Sequence, residues 1–87
     1  MTYKIVIENK ALAELGTLPK KIQRQIANKI DQLAINPRPS GCKILQKHKS
    51  LYRIRSGDYR IVYQIRDKQV LVLVVRIAHR KDVYKRL

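Results

Sequence analysis

The chain changes its hydrophobic period several times, and each change marks an element. Tyr3, Ile5 and Ile7 alternate with Lys4, Val6 and Glu8, so residues 2–8 read as a strand. Asn9 is placed to cap a short helix through Leu15, and Gly16 is a natural stop. Pro19 then suits the first turn of a second helix. Leu18, Ile22, Ile26, Ile30 and Leu33 recur every three or four residues, which makes one buried stripe. Asn36-Pro37-Arg38-Pro39 ends that helix, because proline lacks the N–H that a helix needs. The short connection between the helices predicts a helical hairpin.

Residues 37–50 read as a loop in which Lys43-Ile44-Leu45 has the character of a strand beginning. Three strand signals follow, at about Tyr52–Arg55, Tyr59–Arg66 and Val70–Ala78, with turns at Gly57-Asp58 and Asp67-Lys68. Val70-Leu-Val-Leu-Val-Val75 is apolar without alternation, as expected of a central strand covered on both faces. The tail from His79 to Leu87 reads as a short terminal helix. The expected fold is a single α+β domain over residues 1–87. Its antiparallel sheet of about four strands carries the N-terminal strand's helical hairpin on one face.

Register sorts the side chains. A two-residue turn at Gly57-Asp58 sets Arg55 opposite Arg60, and Ser56-Gly57 as the turn leaves the same division. Arg53, Arg55, Arg60, Val62 and Gln64 then share one face, and Tyr52, Ile54, Ile61, Tyr63 and Ile65 share the other. Like charges directly opposite are destabilising, so the Arg55–Arg60 pair points to a bound anion that neutralises it. Carried through a two-residue turn at Asp67-Lys68, the register puts Leu71, Leu73, Val75, Ile77 and His79 on the arginine face.

Composition sharpens this picture. Twenty Lys and Arg stand against 6 Asp and Glu, a formal net charge of +14 spread over the whole of the 87 residues. That excess favours polyanions or an acidic protein partner. Lys43, Lys47 and Lys49 are candidate RNA contacts in the loop, and Lys20, Lys21 and Arg24 are auxiliary ones on the second helix; His48 is incidental. Cys42 is the single cysteine, which excludes an internal disulfide, and no Cys/His cluster has metal-ligand spacing. No metal or other cofactor is expected. No window approaches the roughly 18 apolar residues of a membrane span. The N-terminal residues do not form a secretory signal, so a reducing cytoplasm is the expected location.

Tyr52-Arg-Ile-Arg55, Tyr59-Arg-Ile-Val-Tyr-Gln64 and Ile77-Ala-His-Arg-Lys-Asp-Val-Tyr84, with the Asn36-Pro37-Arg38 helix exit, resemble a RelE-type toxin of a toxin–antitoxin pair over essentially the whole chain. The resemblance implies a ribosome-dependent endoribonuclease that cuts mRNA in the A site without a metal, and a cognate antitoxin that wraps the basic surface. It maps the family's catalytic cations onto Arg53, Arg55, Arg60 and Arg80, and its C-terminal tyrosine onto Tyr84. Some members carry Lys where this chain has Arg53 and Arg55. Arginine cannot give up its proton as lysine can, so a general base at those two positions is not expected here. Histidine is the side-chain type that titrates near neutrality without perturbation, and arginines close to Tyr84 would favour its anion, so His79 and Tyr84 are expected to share the base and acid roles, in either order. Two rivals remain at this point. A ParE-like gyrase-inhibiting toxin shares the fold, and a non-catalytic basic RNA- or DNA-binding module needs the charge but not the His79-Arg80…Tyr84 cluster.

Overall fold

The computed structural model describes residues 2–81. Strand β1 (Lys4–Ile7) leads into α1 (Asn9–Gly16) and α2 (Lys20–Ile35). Strands β2 (Lys43–Gln46), β3 (Leu51–Ser56), β4 (Tyr59–Arg66) and β5 (Leu71–His79) follow as a meander. The five strands lie in the order β1-β5-β4-β3-β2. The sheet is therefore one strand larger than expected, because Lys43–Gln46 pairs antiparallel with β3 as an edge strand. It is also not wholly antiparallel, since β1 runs parallel to β5, with Lys4 beside Leu71 and Ile7 beside Val74. Of the C-terminal helix expected over His79 to Leu87, His79 instead closes β5 and Arg80 and Lys81 form a turn, and the rest lies outside the described residues.

The helical stripe behaves as its period requires. Ile26, Ile30 and Leu33 are buried, and with Ala11 of α1 they meet Tyr52, Ile54, Ile61, Tyr63, Ile65, Val72, Val74 and Ile77 of the sheet. Both helices thus cover the face opposite Arg53, Arg55 and Arg60. Two boundaries are off by one residue. Glu8 rather than Asn9 occupies the N-cap position of α1, and Pro19 occupies that of α2, just outside the helix. Proline costs nothing there, because it has no N–H to leave unsatisfied. Strand β5 is interior in the sheet, yet only Val72, Val74 and Ile77 are buried and Leu71 and Leu73 are half-buried. Its helix face is packed far more fully than its other face.

The helix exit is bolted to the sheet. The buried Tyr63 hydroxyl donates to the Pro37 carbonyl at 2.8 Å. Arg38 donates from Nε to the Tyr52 hydroxyl at 3.1 Å and holds both carboxylate oxygens of Asp67, at 3.3 and 2.8 Å. The Tyr3 hydroxyl donates to the same carboxylate at 2.7 Å. One acidic turn residue thus ties β1, the α2 exit and the β4–β5 connection together. Arg38 and then Tyr3 hold the Asp67 carboxyl below its usual range by hydrogen bonding. A depressed carboxyl stabilises the fold above its unfolded pKa and loses that contribution as pH falls through the folded value. The Tm of Asp67→Asn is therefore expected to fall less steeply than wild type between about pH 5 and about pH 2. An unchanged acid limb in thermal melts overturns this account.

Candidate functional site

The β3–β4 hairpin builds the site. Gly57 sits at φ 59°, a left-handed conformation that glycine adopts without strain, and it turns the chain between Ser56 and Tyr59. The register is the expected one, with Arg55 opposite Arg60, Arg53 opposite Val62 and Leu51 opposite Gln64. Lys43 of β2 pairs with Arg53, so it stands on the same face. Arg66 also belongs there by alternation with Gln64, to which its Nε donates at 2.9 Å. That position was open to the period-two pattern and is an addition to the expected set. Arg80 follows β5, and its N–H donates to the Asp58 carbonyl at 2.8 Å. The third cation-bearing segment is thereby held against the turn that carries Arg55 and Arg60.

Arg55 and Arg60 bond backbone carbonyls among the described residues. Arg55 Nε donates to the Gly57 carbonyl at 3.0 Å, not to Asp58. Arg60 Nη1 lies 3.5 Å from the Tyr59 carbonyl, at the outer limit of a hydrogen bond, and its Nε is buried without an acceptor. The ion pairs among the described residues lie elsewhere, at Arg38–Asp67 and Arg76–Glu14. Two arginines paired across the strands concentrate positive charge at one point of the sheet, which suits an oxyanion.

Strand β5 departs from the expected register. The β4–β5 connection is a 3-10 turn over Asp67–Gln69 with Val70 left-handed at φ 51°, so Arg66 pairs with Leu71. This turn is two residues longer than the expected one, which preserves the side-chain parity of Leu71 and Leu73. A bulge then breaks the parity. Tyr63 pairs with Val74 but Val62 pairs with Arg76, leaving Val75 as the extra residue. Beyond it, Ala78 opposes Arg60, whereas Ile77 and His79 oppose Ile61 and Tyr59 on the helix face.

His79 is therefore not on the arginine face, and the expectation that placed it there is corrected. Its ring meets Tyr59 edge-on at 5.6 Å, and its Nδ1 accepts from the Lys81 N–H at 3.3 Å. It lines a recess with Ala13, Thr17 and Leu18 beside the end of α1. Glu14 stabilises this irregular strand end. One oxygen accepts from the Ile77 N–H at 2.9 Å, and the other takes Arg76 Nη2 at 3.1 Å. The pairing of β1 with β5 ends at Val74, and Glu14 satisfies the strand edge beyond that point.

The remaining candidates separate by position. Lys47 and Lys49 are exposed on a 3-10 turn at the start of β3, the end of the strand away from Arg55. Lys20, Lys21 and Arg24 are exposed on α2, in the layer on the other side of the sheet, so they do not join the arginine face. Tyr84 lies outside the described residues. No described helix is long and apolar enough to cross a membrane.

Known proteins are similar to this chain in sequence and in shape. The profile of the family described as "ParE toxin of type II toxin-antitoxin system, parDE" matches residues 5–84. A putative RelE-like toxin protein of Escherichia coli is 36% identical over 88 residues, covering 97% of this chain and 92% of its own. The mRNA interferase toxin RelE of Escherichia coli K12 is 32% identical over 88 residues, with the same coverages of 97% and 92%. Among solved structures, the archaeal RelE–RelB complex of Pyrococcus horikoshii OT3 holds a chain that superposes with a TM-score of 0.83 at 29% identity. That match covers 92% of this chain and 97% of the other.

Proposed function

This chain belongs to the RelE/ParE superfamily of type II toxin–antitoxin toxins, and from that premise we propose that it is an endoribonuclease that cuts mRNA on the ribosome and is held inactive by a cognate antitoxin. The observation that carries this reading is the Arg55–Arg60 pair, two like charges directly opposite on β3 and β4, with Arg55 exposed and Arg60 half-buried. A phosphodiester at that point cancels the repulsion between the two like charges.

The reaction is a transesterification that needs no metal. The ribose 2′-oxygen attacks the adjacent phosphorus, a 2′-O–P bond forms and the P–O5′ bond breaks. The products are a 2′,3′-cyclic phosphate and a 5′-hydroxyl. The 2′-proton goes to a general base, and a proton is delivered to the departing O5′. Charge builds on the non-bridging oxygens, and arginine's planar fork holds two oxygens at once without giving up its proton. Arg60 and Arg80 stabilise that charge in this scheme, and Arg53 and Arg55 position the backbone. Lys43 and Arg66 extend the contact along the same face, and Lys47 and Lys49 contact RNA beyond the start of β3. The work takes place in the cytoplasm, where the ribosomes are.

His79 takes no proton in this scheme, because the bulge turns it to the other side of the sheet. Tyr84 is left as the candidate for proton transfer. His79→Gln is expected to keep its single-turnover rate on ribosome-bound message within about threefold of wild type, with an unshifted pH–rate profile. A fall of a hundredfold returns the imidazole to the chemistry. The reading as a whole is tested by induced expression followed by primer extension on a translated message. Codon-phased cuts are expected. Growth arrest with intact mRNA and damaged DNA overturns the reading in favour of a gyrase poison.

A further inference from the structure

We propose that the cleft between α2 and the free half of β3 is a nucleobase subsite that reads a nucleotide flanking the cut. The inference rests on the nuclease reading above. Strand β2 pairs with β3 only as far as Arg53, so the edge of Ile54–Ser56 has no strand beside it. A cleft of about 700 Å³ opens there, within the range of sites that enclose small organic ligands. Its helical wall is a stripe of Gln25, Asn28, Lys29 and Gln32, spaced as neighbours on one face of a helix. All four are exposed and sit beside the stripe that packs the core, so packing does not account for three amides in a row.

Three features favour RNA as the occupant. Arg55 stands opposite Arg60 and also lines the cleft at the free edge of β3, so a chain whose phosphate lies at the arginine pair reaches the cleft by passing round that edge. The lining contains Lys29 and Arg55 and no carboxylate, which suits a polyanion. Each side-chain amide carries a donor and an acceptor, the combination that matches the edge of an unpaired base. An extended peptide laid on β3 needs the strand's main chain and gives the amides no task.

The test is codon preference. The double variant Asn28→Ala with Gln32→Ala changes exposed helical positions to the best helix former, so the fold is retained, as a thermal melt checks. Primer extension on ribosome-bound message is expected to show the preference between favoured and disfavoured nucleotides beside the cut falling by about tenfold. An even loss of cutting across all codons overturns the subsite, because it marks a contact to the backbone alone. Weakened antitoxin binding with unchanged preference overturns it too, and assigns the cleft to the antitoxin. Arg60→Ala run in parallel separates the two levels. If it abolishes cutting while the double variant leaves the preference intact, the subsite falls and the nuclease reading stands.

Discussion

Arg60→Ala is expected to cut ribosome-bound mRNA at least a hundredfold to a thousandfold more slowly than wild type, the usual effect of removing one fixed donor to a developing oxyanion. Stability is expected to move the other way. Arg60 faces Arg55 directly across the strands, and like charges so placed are destabilising. Its Nε is also buried without an acceptor, which costs free energy in the unliganded protein. Alanine removes both penalties, so the variant's Tm is expected to equal or exceed that of wild type. A residue that lowers stability and is needed for activity is the signature of a site rather than of a scaffold. Arg60→Lys sharpens the test, since it keeps the charge but loses the two-pronged fork, and an intermediate rate is expected. Single-turnover cleavage with a melting curve for each variant decides the matter. Wild-type cutting by Arg60→Ala removes the proposed role of the arginine pair.

Tyr63→Ala is expected to have the largest effect on the fold. Tyr63 is 0% exposed, stacks on Tyr52 with ring centroids 5.9 Å apart, and bonds the Pro37 carbonyl. Truncating a buried aromatic ring costs about 3–5 kcal/mol. That is a large share of the roughly 5–15 kcal/mol that holds a small domain together. A Tm lower by more than about 12 °C follows for a chain of this length. Cleavage then falls because the β3–β4 hairpin loses its support, not because any RNA contact is gone. Tyr63→Phe isolates the hydroxyl and is expected to cost about 1 kcal/mol. It also carries a pH signature. Burial, and after it the neighbouring Cys42, pushes the Tyr63 hydroxyl well above its usual pKa. A raised pKa leaves the contribution intact below the unfolded value of about 10 and removes it as pH rises from there towards the folded value. Tyr63→Phe should therefore flatten the alkaline side of the stability profile. An unaltered alkaline slope in denaturant melts dismisses this assignment.

Both predictions trace back to one hairpin, and that hairpin was the most legible part of the chain. Arg53, Arg55 and Arg60 fall on one face because strand alternation and a two-residue turn at Gly57-Asp58 set Arg55 opposite Arg60. Ile26, Ile30 and Leu33 fall in the core because a 3.6-residue period allows one apolar side. In each case the decisive geometry lies within a few residues of chain. The β4–β5 connection shows where that reasoning ends. Its 3-10 turn with left-handed Val70 is longer than the local pattern suggested, and Val70 is a β-branched residue in a conformation it rarely adopts. Glu14 is the other case. It looks like an ordinary helical carboxylate, yet it bonds Ile77 and Arg76 more than sixty residues away.

Sequence by itself therefore determined the helices, the α+β class, the cationic face and the partition of the β3–β4 side chains, because period and turn length are properties of neighbouring residues. Tertiary structure decided that β1 runs parallel to β5, that Lys43–Gln46 closes the far edge of the sheet, and that Arg80 is held against the Asp58 carbonyl. It also decided that a bulge at Val75 turns His79 away from the arginines. Those outcomes depend on which strands meet and on where one extra residue is absorbed. Period-two alternation carries no mark of a bulge until the partner strand is in place.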